Sequence, residues 1–369
     1  IDDDTLIITL DMLNAFNSPL RSEIKKLLAS DPRFNLLWPL FNMAYSQHTD
    51  LYFRKKDGTY ITIKSQRGTR QGDPLGAFLF CFVIHPILEA ANEKFGSIEF
   101  IIKSYMDDIS ILTKNSKSAE VIACAEFIAA EMEKIGLTVH PTKSEWWSHV
   151  PPPAAYLAPP AGSPPPDDGK LRFEFKDRSK GAIIRILGAY FGGKDEVKAK
   201  LLDIVQGSEK MFETINAVGG QTGFVLLTKA MITKLTFLFR THPPDETEEI
   251  ATLYDKYLMC SFDDFSETTA DEDGIRNALV QLPRRQHGLG LTSSLVTSVQ
   301  AYEASREQAL AMDISLPRTA YKEERLALNI TTQSARMEKY HKEILQWLQG
   351  QGTEVHRLLQ ELSSSSNLC

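Results

Sequence analysis

Ile98–Thr113 reads IEFIIKSYMDDISILT, two apolar runs interrupted only by Tyr105-Met106-Asp107-Asp108. The runs are rich in β-branched residues and predict strands at Ile98–Ser104 and Ile109–Thr113 joined by a tight turn. Two adjacent carboxylates at such a turn repel one another and cost stability. A divalent cation removes that cost, because carboxylate oxygens are natural ligands of Mg²⁺. Thr5–Leu10 (TLIITL) predicts another buried strand ending at Asp11, and a sheet can set Asp11 beside the turn. Three carboxylates on neighbouring strand ends compose a candidate two-metal site. Two ions about 3.5–4 Å apart can activate an attacking hydroxyl and stabilise a leaving phosphate. Phosphatases and nucleases use the same constellation, so the acids alone leave the reaction open. The other acidic groups, Asp2–Asp4, Asp167-Asp168 and Asp263-Asp264, sit in polar or proline-rich stretches and read as solvated patches.

Outward from this turn, Ser18-Pro19 reads as an N-cap with proline at the first helical position, opening a helix to about Ala29. A second helix is expected over Asn35–Ser46. Leu51–Arg54 and Tyr60–Lys64, joined across Lys56-Asp57-Gly58, predict a hairpin, since Asp-Gly supplies the positive φ such turns need. Asp73-Pro74 repeats the cap signature and starts a long apolar helix towards Lys94. Ser118–Ile135 has helical periodicity and stops at Gly136, a C′ glycine. Val150–Asp168 is proline-rich and reads as an extended surface insertion. Strands are expected at Leu171–Phe175 and Ile183–Phe191. After Gly193 the pattern is helical, with breaks near Gly219-Gly220, Pro243-Pro244 and Gly288-Leu289-Gly290, and Ser363–Ser366 is expected to fray.

Composition narrows the class. With 369 residues, 43% hydrophobic and 24% charged, the chain is of globular type and long enough for two to three domains. Four cysteines, Cys81, Cys124, Cys260 and Cys369, contain no CxxC pair, which argues against a disulfide scaffold and suits a reducing compartment. The longest apolar run, Ala77–Leu88, is broken by His85 and Pro86 and falls short of the ~20 residues a membrane helix needs, so no membrane partner is expected. No charged-then-apolar leader opens the sequence, and secretion is not expected. A net charge of −7 is unusual for a nucleic-acid binder, so any basic groove has to be local. Arg54-Lys55-Lys56, Arg67 with Arg70, and Lys176-Asp177-Arg178-Ser179-Lys180 are the candidates for following a nucleic-acid backbone; each also reads as ordinary solvated surface. Trp146-Trp147 reads as core packing, with stacking on nucleic acid as the alternative.

The motifs, taken in order, resemble those of a known family. Leu10–Asn17 (LDMLNAFN), Gly68–Gly76 (GTRQGDPLG) and Tyr105–Asp108 (YMDD) resemble motifs A, B and C of reverse transcriptases. Gly136–Glu145 (GLTVHPTKSE) is similar to motif D, and Ile186–Gly192 (ILGAYFG) to motif E, the primer grip. The RQGDPLG form and the PTKSE ending are similar to non-LTR, LINE-type retrotransposons, and Leu282-Pro283 with Gly288–Leu291 is similar to a segment downstream of the thumb. The resemblance covers about Thr5–Ala304.

It implies a right-hand polymerase, an α+β palm with an antiparallel sheet followed by an all-helical thumb. Asp11, Asp107 and Asp108 would be the metal-binding triad for two Mg²⁺ ions, with Mn²⁺ as substitute. Phe16, five positions after Asp11, corresponds to the steric gate that collides with a ribose 2′-hydroxyl; its alternative is an ordinary core ring. Arg70, Gln71 and Gly72 would face the nascent base pair or template, Gly72 by close backbone approach, and Tyr105 and Met106 would join the substrate-binding set. Asp73 reads as a cap rather than a ligand. Lys143 resembles the lysine that donates a proton to departing pyrophosphate, and Leu187 and Gly188 the primer grip. Partners would be an RNA template, a DNA primer or target and dNTPs, inside the cell and in the nucleus. Oligomeric state stays open.

The domain reading is 1–149 palm, 150–170 proline-rich insertion, 171–193 end of palm and primer grip, 194–292 thumb and 293–369 a C-terminal helical region. The chain starts ten residues before Asp11, and the resemblance implies a fingers region upstream, with the basic residues that hold a triphosphate. Three other readings make different demands on the sequence. A non-catalytic scaffold would be free to lose the three aspartates. A maturase of the group II intron type calls for a basic segment after the thumb. A metal-dependent nuclease has no use for the phenylalanine gate or the RQG loop.

Overall fold

In the computed structural model, residues 3–141, 143–160, 162–163, 168–266, 275–284 and 288–312 are described, with 342–344 and 346. Asp2, Asp167, Cys369, the Ser363–Ser366 tail and most of the C-terminal helical region lie outside the described residues. The chain divides into two compact units, Ile1–Leu187 and Gly188–Cys369.

The first unit is built on β1 (Thr5–Leu10), whose apolar residues place it at the centre of a five-stranded sheet. It pairs antiparallel with β5 (Asp108–Lys114) on one side and β6 (Ser144–Ser148) on the other. β4 (Ile101–Tyr105) flanks β5, and β7 (Phe173–Asp177) flanks β6, giving the order β4-β5-β1-β6-β7. Strand alternation sends Leu6, Ile8, Leu10, Ile109, Ile111, Trp146 and Phe173 to one face, where all are buried. Two helices supply the other side of this core. α3 (Pro74–Phe95) buries Leu79, Phe80, Val83, Ile84, Ile87 and Ala91 at helical spacing. α4 (Ser118–Lys134) buries Val121, Ile122, Ala125, Ile128 and Met132. Gly136, at φ +88°, ends it: its amide donates to Glu133 O, and Leu137 N donates to Met132 O. The opposite face of the sheet carries Asp108, Ser110, Thr9 and Glu145 in register.

Before α3 lie α1 (Arg21–Ser30), α2 (Leu37–Tyr45) and a two-stranded hairpin of β2 (Thr49–Arg54) and β3 (Tyr60–Ser65). The Asp73 cap is present, its Oδ1 accepting from Leu75 N at 2.9 Å. At Ser18 the cap expectation is corrected. Its hydroxyl donates back to Asn14 O (2.9 Å) and Leu13 O (3.2 Å), closing a short 3₁₀ turn at Ala15–Asn17, and the helix begins at Arg21.

Three further expectations change. β6 and β7 run parallel, so the sheet is antiparallel-rich rather than antiparallel throughout. A parallel pair needs a long crossover, and the proline-rich segment is that crossover. Its first half is tied down: Trp146 Nε1 donates to Val150 O, Pro152 is buried and Ala158 N donates to Phe173 O. The strand expected over Ile183–Phe191 is two, β8 (Ile184–Ile186) and β9 (Ala189–Phe191), because Leu187 and Gly188 both have positive φ (+49° and +88°). By length and composition, α3 and the Gly220–Thr241 stretch are each apolar enough to cross a membrane, which corrects the expectation that no run reaches that length. The apolar side of α3 is spent on the core just described.

The second unit, after β9, is helical among its described residues: α5 (Lys194–Gln206), α6 (Glu209–Val218), α7 (Gly220–Leu226), α8 (Thr236–Thr241), α9 (Pro244–Ser266), α10 (Ile275–Gln281) and α11 (Ser294–Met312). α9 is its spine, packing on α5, α6 and α11 and burying Ile250, Ala251, Tyr254 and Leu258. Asp255 caps α11, accepting from Ser294 N (2.6 Å) and Ser293 Oγ (2.6 Å). His242 is buried and anchors β9, its Nε2 accepting from Tyr190 N at 3.1 Å; burial holds its imidazole below the ordinary pKa.

Candidate active site

The β4–β5 turn is two residues long: Tyr105 pairs with Asp108 across it, leaving Met106 and Asp107 at the tip. Met106 has φ +55°, a conformation a non-glycine residue holds only when its surroundings impose it. Here the surroundings are a continuous ladder of pairs from Ile101↔Leu112 to Tyr105↔Asp108, with Ser104 Oγ donating to Met106 O at 2.9 Å.

Asp11 follows β1 directly, where β1 and β5 run side by side as far as Leu10↔Ile109. Its backbone is pinned by His140 N, which donates to Asp11 O at 2.7 Å, and by the Met12↔Val139 bridge beyond it. Asp11 and Asp107 are thereby close enough to Asp108 to act on it. Partial burial first, then the charges of Asp107 and Asp11, push the Asp108 carboxyl above its ordinary range, and Arg185 opposes them. No side-chain hydrogen bond or ion pair holds any of the three carboxylates among the described residues. No group of three metal-ligating side chains there closes into a ready-made cage. An open set of like-charged oxygens in no ion pair among the described residues suits a hard divalent ion, which favours carboxylate oxygens.

A pocket of about 180 Å³ opens beside Asp11 and Asp108, lined also by Lys143, Glu145, Arg185 and Leu187. Lys143 is exposed there. Glu145, the last residue of the motif D match, and Arg185 join the site without having been assigned a role in it from the sequence. Alternation reveals Glu145, which pairs with Thr9 as Thr9 pairs with Ser110 on the same face as Asp108. Burial raises the Glu145 carboxyl, while Lys176, 3.7 Å away, lowers it. Arg185 carries no local sequence signal, since its approach to Asp108 depends on the fold.

The remaining site residues divide into two settings. Phe16 is half-buried and stacked on Phe80 with ring centroids 4.6 Å apart. Gly68, at φ +65°, touches the same turn: a Cβ there would meet Phe16 O and Asn17 C at 2.3 Å. That close approach seats the motif B loop on the motif A turn, with Thr69 N donating to Phe16 O at 2.7 Å. Gly72 has φ +87° and open space above it, so positive φ rather than close protein packing is what it supplies. Gln71 and Tyr105 are exposed. Arg70 is held otherwise, its guanidinium donating to Ala44 O (2.8 Å) and Thr49 Oγ1 (3.1 Å). Arg70 and Arg21 each lie 5.3 Å from the Tyr45 ring centroid. The Tyr45 hydroxyl donates to Asp73 Oδ2 at 2.5 Å and accepts from Arg70 N at 3.1 Å. Both Asp73 oxygens are therefore occupied in holding structure.

Trp146 and Trp147 are fully buried, and Trp147 Nε1 donates to Ala182 O at 2.7 Å. Lys176, Arg178 and Lys180 pair with Glu174, Asp3 and Asp177 respectively.

Comparison with known proteins adds to this geometry. A family model described as reverse transcriptase (RNA-dependent DNA polymerase) matches residues 1–189. The chain is similar to the 132 kDa protein of the retrotransposable element SLACS of Trypanosoma brucei gambiense, 22% identical over 308 residues that make up 82% of this chain. It spans 23% of that relative's length. Among solved structures, apo telomerase from Candida tropicalis aligns over 90% of this chain and 54% of its own, at 13% identity and a TM-score of 0.37. Telomerase from Candida albicans in complex with a TWJ fragment of telomeric RNA aligns over 95% and 50%, at 11% identity and a TM-score of 0.40.

Proposed function

Since the chain belongs to the reverse transcriptase (RNA-dependent DNA polymerase) family, we propose that it carries the palm and thumb of a non-LTR retrotransposon enzyme that copies RNA into DNA. The observation that carries this reading is the approach of Asp11 and Asp107 to Asp108, with Asp11 and Asp108 lining a pocket that also holds Lys143 and Arg185. The family works with divalent metal ions, and these three carboxylates are the residues that would hold two Mg²⁺, or Mn²⁺ in their place. When bound, such ions lower the cost of ionising a hydroxyl and of charge building on phosphate oxygens.

The reaction joins the primer 3′-oxygen, whose proton leaves to water, to the α-phosphorus of a dNTP and breaks the bond to the bridging oxygen of pyrophosphate. The chain's own contribution is position and charge. Lys143 gives a proton to the departing pyrophosphate. Phe16 excludes a ribose 2′-hydroxyl, and its stacking on Phe80 keeps the ring from yielding. Gln71 and Gly72 face the nascent pair or template, and Tyr105 and Met106 belong to the same substrate-binding set. Arg70 serves by holding that loop to Ala44 and Thr49. Leu187 and Gly188, whose positive φ makes the turn between β8 and β9, would serve as the primer grip. Template RNA, DNA primer and dNTP are the partners of this reading, and the nucleus is its site.

Primer extension on poly(rA)/oligo(dT) with Mg²⁺ by this chain tests it. Extension that is lost in Asp107→Asn is expected. Wild-type extension by that variant overturns the assignment.

A further inference from the structure

The β2–β3 hairpin is a blade with two unlike faces. Its register pairs Leu51 with Ile63 and Phe53 with Ile61 on one face, and Tyr52 with Thr62, Arg54 with Tyr60 and Asp50 with Lys64 on the other. Neither face is covered among the described residues: Tyr52 is 69% and Tyr60 63% exposed. Arg54 and Lys64 are in no ion pair there. The blade is nevertheless held at its root. Arg21 donates to Ser65 O (3.1 Å), Ser65 Oγ (2.9 Å), Arg67 O (3.2 Å) and Gly68 O (3.0 Å), and Arg70 donates to Thr49 Oγ1. From Thr49 to Arg67 stand five basic and two acidic residues, in a chain whose net charge is −7.

We infer that the Tyr52–Arg54–Tyr60–Lys64 face of this hairpin is a binding surface for a single nucleic-acid strand, the RNA template. Two exposed aromatic rings on one face, interleaved with cations, match how single strands are held: bases stack on the rings while the backbone follows the positive charge. Local basic charge on an acidic chain gives phosphate a place to bind. The root clamp keeps the face in a fixed direction, so little order has to be created on binding. The inference rests on the polymerase reading for the strand's identity, but the binding itself needs no catalysis.

The test is equilibrium binding of a fluorescein-labelled 15-nucleotide oligo(rA) to the full chain, without nucleotide. Tyr52→Ala/Tyr60→Ala should weaken binding about a hundredfold, since each of the two stacks removed is worth about tenfold. Tyr52→Phe/Tyr60→Phe should restore it. Arg54→Gln/Lys64→Gln should flatten the slope of log K against log salt by about 1.4, or about 0.7 for each phosphate left without its cation. A 5-iodouridine oligonucleotide should photo-crosslink at Tyr52 or Tyr60. Parental affinity and slope in all the folded variants overturn the inference. So does a change confined to sedimentation of the protein, which would make the hairpin a protein–protein face. Hairpin-dependent binding alongside extension that is insensitive to Asp107→Asn sustains this inference while sinking the proposed reaction.

Discussion

The first unit contains two hairpins that solve opposite problems. The β4–β5 hairpin turns in two residues, is built into a five-stranded sheet and carries two acids at its turn. The β2–β3 hairpin turns through Lys55–Thr59 with Asp57-Gly58 in the loop, pairs only with itself and carries basic residues. One concentrates like charge and an unfavourable φ, which the surrounding ladder and core over-determine. The other spreads its charges over an exposed blade, leaves Leu51, Phe53, Ile61 and Ile63 uncovered on its second face among the described residues, and is fixed at its root. Charge that must be crowded is placed inside a scaffold; charge that must reach out is placed on a tethered blade.

Asp107→Asn breaks the crowded side of this contrast and has the largest expected effect. Extension should fall more than about a hundredfold, because several kcal/mol of charge stabilisation depend on the acids. The melting temperature without metal should hold or rise slightly. At neutral pH the variant lacks one of the two charges that push the Asp108 proton affinity up, so repulsion in the folded state is smaller. Calorimetry beside a primer-extension assay reads both effects.

Arg21→Ala attacks the root of the blade. It removes four hydrogen bonds made by one guanidinium and should cost about 2–3 kcal/mol in urea unfolding, the range for bonds to a charged group. Amides of residues 49–65 should exchange faster than those of β1. Unchanged protection of the hairpin would show that its root is held by other means.

Phe16→Ala lies between the two regions. The ring is half-buried, so the loss should be about 2–3 kcal/mol, below the roughly 3–5 of a fully buried phenylalanine. The ratio of ribonucleotide to deoxynucleotide incorporation should rise. A folded variant with an unchanged ratio makes Phe16 a core ring only.

The smallest effect is expected at the tip of the blade. Gly58 has φ +86°, and a Cβ there would meet nothing within 4 Å, so Gly58→Ala should cost about 1 kcal/mol through backbone conformation alone. Gly68→Ala, at the root, meets backbone at 2.3 Å and should cost clearly more. Equal melting shifts for the two would undo the distinction between root and tip.

What can be read in the sequence follows the same division. The Asp107-Asp108 turn, the Asp57-Gly58 hairpin, the Asp73-Pro74 cap and the Gly136 stop are decided by neighbours a few residues away, and all four are present. The Ser18 cap is absent because its hydroxyl has two competing sets of partners and turns back to Asn14 O. The parallel β6–β7 pair and the approach of Arg185 to Asp108 are products of the crossover and of β8, which no local pattern encodes. Tyr45 with its two arginines is illegible for the same reason, since Arg21, Tyr45 and Arg70 meet only in the folded chain.

The central position of β1 has a consequence for synthesis on the ribosome. Ile7 finds its partners at Leu112 and Trp147, about 100 and about 140 residues later. At about 5–20 residues per second, the strand is made roughly 7–30 seconds before its second neighbour is available. During that interval TLIITL is an apolar segment with both hydrogen-bonding edges open, the kind of sequence that chaperones bind and that nascent chains can pair with wrongly. The acids that flank it, Asp4 and Asp11, stand at its two ends as charged stops against such pairing. Asp11 would thus guard the strand during synthesis before it serves the finished site.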